Sequence, residues 1–137
     1  MVDPVTAVLG WLKADSGIAT LVGTNVFAPA LPEGFSLESG VNAIVVRRRG
    51  GPRHPEIPAL VRPSIAVECW SLDSVVARQI YGLVSDKIHG STSIDLGANG
   101  FIILAQEEVG GQDIFDPVTH WPMTFGYFRL IIRAQGA

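Results

Sequence analysis

Four acidic residues follow one another closely in the last third of the sequence: Glu107, Glu108, Asp113 and Asp116. Paired carboxylates can transfer protons in general acid–base catalysis, or they can bind a hard cation such as Ca2+. Their spacing does not match the ligand positions of a calcium-binding loop. We therefore interpret these acids as the solvated end of a β-hairpin rather than as a catalytic or metal site.

The three histidines and the single cysteine form no recognisable metal-binding or nucleophilic motif. His54, His89 and His120 lie far apart, and none has a second ligand at a spacing such as HExxH. Cys69 occupies an apolar position of a predicted strand, so we expect a buried, inert thiol. A lone cysteine also excludes a disulfide within the chain, and no GxSxG motif is present. We predict no catalytic residue, no metal and no cofactor.

The basic stretch VVRRRGGPRHPEIP, residues 45–58, stands out because cationic side chains concentrate around it. Half of the ten Lys and Arg residues lie within residues 47–62. The stretch lacks the GxxxxGK[ST] pattern of a phosphate-binding loop. The net charge of −3 argues against a general nucleic-acid-binding protein. The candidate contact residues are Arg47, Arg48, Arg49, Arg53, His54 and Arg62.

The elements that position these residues are helices and strands in alternating groups. Asp3 and Pro4 predict the start of a first helix, which Gly17 is expected to end. Strands are predicted around Val26–Phe27 and over 41–49, 63–71, 101–109 and 123–135, with a second helix over 72–89 and a loop over 110–122. This order predicts a single α+β domain over 1–137, with a mostly antiparallel sheet of four to five strands, two main helices and a long hairpin loop.

Two apolar patterns predict how the second helix and the sheet pack together. Residues 63–71 alternate between apolar and more polar side chains, which indicates a half-buried strand. One stripe of the helix is expected to face the sheet: Val76, Ile80, Leu83, Val84, Lys87 and Ile88. The opposing sheet positions are expected to be Val67, Phe128, Leu130 and Ile132.

The composition favours a protein that associates with other subunits. Charged residues make up 17% and hydrophobic residues 47% of the 137 residues. An average soluble domain has about 25% charged residues, so part of this surface is expected to be covered by neighbouring subunits. A compact monomer with a neutral polar surface is the alternative. We expect neither a signal peptide nor a membrane-spanning segment.

Three segments together resemble the tail terminator, or tail-completion, proteins of tailed bacteriophages, which are related to minor head–tail joining proteins. The segments are DPVTAVLGWLKADSGIATLVGTNVFAPALPEG, RPSIAVECWSLDSVVARQIYGLVSDKIHG and DIFDPVTHWPMTFGYFRLIIR, and they cover nearly the whole chain. The basic, proline-rich segment RRRGGPRHPEIPALVRP departs from the family pattern, so no role is carried over to it.

The resemblance implies a structural protein and no enzymatic activity. Such proteins form a homo-oligomeric ring, typically of six subunits, at the head-proximal end of the viral tail. The ring ends polymerisation of the major tail tube protein and presents a head–tail joining surface to the connector, or stopper, protein. It would be assembled in the host cytoplasm and contact no membrane. The alternatives are a head-completion or stopper protein and, in a different class, a small α+β enzyme or ligand-binding domain.

Three interpretations of the basic stretch follow from the ring hypothesis. Its arginines could pair with carboxylates of a neighbouring subunit or ring, which we favour. They could instead line the lumen and contact the phosphates of passing DNA without reading its sequence. The third interpretation is a solvated turn.

Since side chains alternate across a strand, Arg47, Arg48 and Arg49 cannot share one face unless a bulge or the strand end intervenes.

Overall fold

The computed structural model describes residues 3–50 and 60–134. Within these ranges the chain forms three helices, α1 (Pro4–Lys13), α2 (Ser16–Val22) and α3 (Ser74–Ile88). It also forms seven strands: β1 (Val26–Phe27), β2 (Ala43–Gly50), β3 (Leu60–Val61), β4 (Ser64–Trp70), β5 (Thr92–Asp95), β6 (Phe101–Phe115) and β7 (Pro122–Arg133). Short 3-10 turns lie at Leu37–Ser39 and Gly97–Asn99.

The first helix begins as predicted but ends earlier. Asp3 caps α1 by accepting a hydrogen bond from the Val5 amide at 3.0 Å, and Pro4 occupies the first helical position. The Asp15 carboxylate then caps a second helix by accepting from the Ile18 amide at 3.0 Å. Gly17 therefore lies in the first turn of α2, and the prediction that it ends a single helix is wrong. A second capping aspartate, rather than the glycine, decides the boundary.

The sheet confirms the α+β class and corrects its details. Its strand order is β1-β2-β4-β7-β6-β5, and β3 pairs with the end of β7 beside β4. All pairs are antiparallel except β1 with β2. The expected four to five strands become seven because two short strands, β3 and β5, add to the ends of β7 and β6. Both carry too few apolar residues in alternation to be recognised from the sequence.

The central strand β4 is buried along its whole length, which contradicts the predicted half-buried alternation. One face packs against the helices in a cluster that includes Ile65, Val67 and Cys69. The other face carries a second, smaller cluster around Trp70 and Met123, which the segment after β1 covers with side chains such as Leu37. We call these the helix face and the outer face of the sheet.

Helix α3 packs on the helix face, and its buried stripe lacks the predicted Leu83 but includes Ala77 and Tyr81, which were not predicted. Ile80, Val84 and Ile88 are buried, as are the predicted opposing residues Val67, Phe128, Leu130 and Ile132. Leu83 is 37% exposed, so its predicted place in the stripe is wrong. Tyr81 lies in the buried stripe instead, together with residues 77, 84 and 88.

The hairpin formed by β6 and β7 is longer than predicted. The loop expected over 110–122 is strand up to Phe115, and the turn spans only residues 116–121. Gly110 and Gly111 do not end β6; the register of β6 against β7 shifts on either side of Val109. Glycines inside a strand pattern are compatible with such bulges.

The predicted pairing of the 41–49 and 63–71 strands is confirmed, since β2 runs antiparallel to β4. Most of the long hairpin loop between them lies outside the described residues. No single helix within residues 3–50 and 60–134 is long and apolar enough to span a membrane, although α1 and α2 pass that test together across a bend of 86°.

Candidate functional site

The basic candidate residues that the structure describes gather at one end of the sheet. Arg47, Arg48 and Arg49 form the last part of β2, and all three are exposed. Arg62 is exposed between β3 and β4, two residues before Ser64, which pairs with Gly50. Arg53 and His54 lie outside the described residues. The structure thus brings four of the six predicted contact residues to the same end of neighbouring strands.

A bulge in β2 lies at the last of the three consecutive arginines. The register of β2 against β4 shifts between Arg48 and Gly50, which leaves Arg49 as the extra residue. Arg48 pairs with Ile65, whose side chain lies on the helix face. The guanidinium of Arg49 lies over the Tyr127 ring at 4.0 Å from its centroid. Arg49 therefore lies on the outer face with Arg47, as alternation along the strand predicts, and Arg48 lies on the helix face.

Arg47 forms an ion pair with Glu68 that helps to stabilise the fold. Its guanidinium donates to the carboxylate of Glu68, which is only 7% exposed in the middle of β4. The indole nitrogen of Trp70 donates a second hydrogen bond to Glu68 at 3.3 Å. Since a buried carboxylate without partners is costly, Arg47 helps Glu68 to remain in the outer face of the sheet.

An open pocket of about 240 Å3 lies between these side chains, lined by Arg47, Arg48, Arg49, Ala66 and Tyr127. Next to it along β7, Arg129 donates to Glu108 at 3.0 Å, while its Nε is buried and has no hydrogen-bond partner among the residues that the structure describes. Cationic groups therefore dominate the pocket. Such a lining fits an anionic partner, either a carboxylate or a phosphate, because guanidinium groups can donate two parallel hydrogen bonds to both.

The acidic residues of β6 diverge instead of converging on one site. On the helix face, Glu107 accepts hydrogen bonds from the Tyr81 hydroxyl at 2.6 Å and from Ser85 Oγ at 2.9 Å. On the outer face, Glu108 accepts from Ser64 Oγ at 2.7 Å and from Arg129. The hydrogen bond from Ser64, and then the Arg129 guanidinium, lower the pKa of Glu108. Burial, followed by the hydrogen bond to Glu107, raises the pKa of Tyr81.

The other two acids of this group hold the hairpin together. Asp113 lies 3.4 Å from Arg78 and accepts a hydrogen bond from Thr124 Oγ1 at 2.7 Å. Asp116 accepts from the amides of Val118 and Thr119 and from the Thr119 hydroxyl, and these bonds lower its pKa. Among the residues described, no group of three or more His, Cys, Asp or Glu side chains could hold a metal ion.

The remaining candidate residues for chemistry are used in the fold. Cys69 is fully buried, and burial raises the pKa of its thiol, as expected for an inert cysteine. His89 accepts a hydrogen bond from the Glu107 amide at 2.9 Å through Nδ1. His120 lies in the β6–β7 turn with a positive φ of 60°.

An apolar surface that was not predicted lies at the opposite end of the molecule. Phe115 is 65% exposed and Val118 is 84% exposed at the tip of the β6–β7 hairpin, near the exposed residues Ile114, Leu72 and Val75. The Ser71 amide donates to the Pro122 carbonyl at 3.4 Å, which brings Leu72 close to the hairpin. The segment DIFDPV indicates this exposed apolar surface, because apolar residues directly beside a turn sequence have little to pack against.

Comparison with known proteins finds a likeness in fold only. No protein-family model matches the sequence, and no curated protein matches it. Among solved structures, a chain of the "Virion of native gene transfer agent (GTA) particle" superposes with a TM-score of 0.66. The match covers 96% of this chain and 95% of that chain at 17% sequence identity. The two chains therefore share an α+β fold over nearly their whole lengths.

Proposed function

We propose that this protein is a structural component of a tailed, phage-like virion and that it forms a ring at the head-proximal end of the tail tube. The ring ends polymerisation of the tube protein and offers the joining surface to the head connector. The observation that carries this proposal is the shared fold with a chain of a gene transfer agent virion over 96% of this chain. The order of the three sequence segments supports the tail terminator role within that class.

The distribution of surface groups supports an assembly role rather than catalysis. Cationic side chains surround an open pocket at one end of the sheet, and apolar side chains protrude at the other. The acidic residues of the hairpin are occupied by hydrogen bonds that stabilise the fold. We therefore propose that the protein acts through contacts with copies of itself, the tube protein and the connector. Contact of the arginines with DNA in the lumen is the second candidate for the basic surface.

A virion carrying a disrupted gene for this protein tests the proposal directly. We expect tail tubes of uncontrolled length that do not join to heads, seen by negative-stain electron microscopy. Tails of normal length that fail to join, beside heads that lose their DNA, would instead indicate the stopper position. Normal virions would overturn the structural role. Cryo-electron microscopy of wild-type particles should place the protein between the tube and the connector.

A further inference from the structure

The strand β6 has an open edge along the half of its length that leads to the β6–β7 turn. β7 pairs with one side of β6 from Phe101 to Phe115, whereas β5 pairs with the other side only over Phe101–Leu104. The chain at 89–91 extends this cover to Glu107 through bonds such as that from the Ala105 amide to Ser91. On the side of β6 away from β7, no described strand lies beside residues 108–115, and residues 110–115 are all exposed. An edge of this length is a template for pairing with another strand.

The direction of the backbone groups on this edge can be deduced from the turn. The Asp116 amide donates to the Trp121 carbonyl at 3.0 Å, so residue 116 directs its backbone groups towards the β7 side of the hairpin. Backbone groups alternate in direction along a strand. Asp113 and Phe115 therefore direct their N–H and C=O groups away from β7, to the open edge.

The strand β2 has an open edge on the other side of the sheet. β1 is only two residues long and pairs with Ile44 and Val45. Beyond Val45, β2 continues to Gly50, and no described strand runs along the side of β2 that faces away from β4. The two open edges thus belong to the same sheet, with β4 and β7 between them.

The two edges carry opposite charge. Residues 41–50 contain three arginines and no acidic residue. Residues 101–116 contain four acidic residues and no lysine or arginine. Charged residues usually protect an open edge from pairing, but here each edge is complementary to the other. Two identical edges of this protein repel each other, whereas the β2 edge and the β6 edge attract.

Strand direction also suits the contact between these two edges. Each neighbouring pair from β2 through β4 and β7 to β6 is antiparallel, so β2 and β6 run in opposite directions. When two copies stand side by side in the same orientation, β2 of one copy and β6 of the next meet as an antiparallel pair. Such a contact uses different surfaces on the two copies, which is the arrangement that generates a ring when the rotation from copy to copy closes.

We propose that residues 47–50 of β2 in one copy pair with residues 108–115 of β6 in the next copy, so that the sheet continues from subunit to subunit. The formation of a closed ring rests on the proposed function, but the pairing itself concerns two copies of this chain. Arg47 and Arg49 then lie near the acidic residues of the neighbouring β6, and the apolar hairpin tip lies at one end of the new strand pair.

The positions of the open segments predict a stagger between the copies. Ile44, which β1 covers, is level with Asp113 across the sheet. The two are connected by successive strand pairs, since Ile44 pairs with Cys69, Cys69 with Thr124 and Thr124 with Asp113. Arg47, which lies beyond the part of β2 that β1 covers, is level with Val109, through Ala66 and Tyr127. The open parts therefore overlap only around this level and otherwise lie at diagonally opposite ends, and they meet along their length only if the neighbouring copy is displaced along the strands. A closed sheet requires a stagger of this kind because its strands tilt relative to the axis.

The decisive experiment mixes two variants that each block one edge. Phe115→Pro removes the outward amide of residue 115 and leaves the β6–β7 bonds in place, and Phe115→Ala is the control that keeps the amide. Arg49→Glu reverses the charge of the β2 edge, and Lys13→Glu makes the same change in exposed α1. Oligomeric state is measured by analytical ultracentrifugation of the purified proteins at low salt, with folding checked by near-UV circular dichroism.

We expect the wild-type protein and Lys13→Glu to associate beyond the dimer, and the edge variants to associate at least about tenfold more weakly. An equimolar mixture of Phe115→Pro and Arg49→Glu retains one intact edge of each kind, so it should form dimers and nothing larger. A mixture that stays monomeric overturns the pairing of these two edges. Wild-type protein that never associates overturns it as well.

Two further results separate this proposal from the proposed function. Edge variants that assemble as the wild type does would overturn the edge pairing and leave the tail role standing, because that role is tested by tail length. Amide hydrogen exchange on the wild type avoids the need for variants. In the associated state, the amides of Asp113 and Phe115 should gain at least about tenfold protection relative to dilute protein, and those of β5 should not. Equal protection in both states overturns the pairing.

Discussion

Tyr81 of α3 lies directly against Gly126 of β7, and its hydroxyl donates to Glu107 of β6 at 2.6 Å. A β-carbon at position 126 would overlap the hydroxyl oxygen, and one at position 111 would lie 2.9 Å from the ring. The two glycines thus form the space in which the tyrosine sits. This contact connects the helix to both strands of the long hairpin.

The first prediction concerns that space. Gly126→Ala should destabilise the folded protein by roughly 1–3 kcal/mol, because Tyr81 has to move and its hydrogen bond to Glu107 is strained or lost. Gly82→Ala is a matched control in α3, where no atom lies within 4 Å of the added β-carbon. It should stabilise by about 1 kcal/mol through helix propensity. Urea unfolding followed by circular dichroism measures both, and equal effects would contradict the packing described.

The second prediction distinguishes two neighbouring positions of α3. Ile80→Ala should cost roughly 2–5 kcal/mol, since Ile80 is fully buried and its loss leaves a cavity. Leu83→Ala should cost less than about 1 kcal/mol, because Leu83 is 37% exposed. Free energies of unfolding from denaturant titrations provide the comparison. A larger loss at Leu83 than at Ile80 would show that the helix is rotated.

The third prediction separates the two arginines of the outer face. Arg47→Ala should destabilise by roughly 1–3 kcal/mol, because it leaves the buried Glu68 carboxylate without its cationic partner. The effect should stay below that of a fully buried pair because the Arg47 side chain is 52% exposed. Arg49→Ala removes the contact with Tyr127, worth about 0.5–1 kcal/mol, and a positive charge that acts on Glu108. Thermal unfolding of both variants tests the order, which a costlier Arg49→Ala would reverse.

The fourth prediction is a loss of stability in acid to which Glu108 contributes. The hydrogen bond from Ser64 and the charge of Arg129 hold the pKa of Glu108 below its ordinary value of 4.5 in the folded state. A lowered pKa in the folded state stabilises the protein above the unfolded pKa, and this contribution is lost as the pH falls through the folded pKa. Glu108→Gln should therefore lose less stability than the wild type between about pH 7 and pH 3, as urea midpoints would show. An identical acid dependence in both proteins would mean that Glu108 is not held in this way.

Local signals in the sequence determined much of the fold. The capping aspartate and proline at residues 3 and 4, the β-branched run of β2 and the apolar periodicity of α3 each act over a few residues, and each forms the predicted element. The α+β class follows from the order of such elements. It was also predictable that consecutive side chains of one strand point to opposite faces of the sheet, because alternation is a property of the extended backbone itself.

The tertiary structure decided what depends on distant partners. Whether β4 is buried on one face or both depends on the segment after β1, which lies on its outer face. The roles of Glu107 and Glu108 depend on Tyr81 and Ser64, far away in the sequence. Among the described strands, β2 and β6 have open edges because β1 and β5 are short, and strand order is a property of the whole sheet. No local pattern of residues encodes these relationships, since they arise only when remote segments pack together.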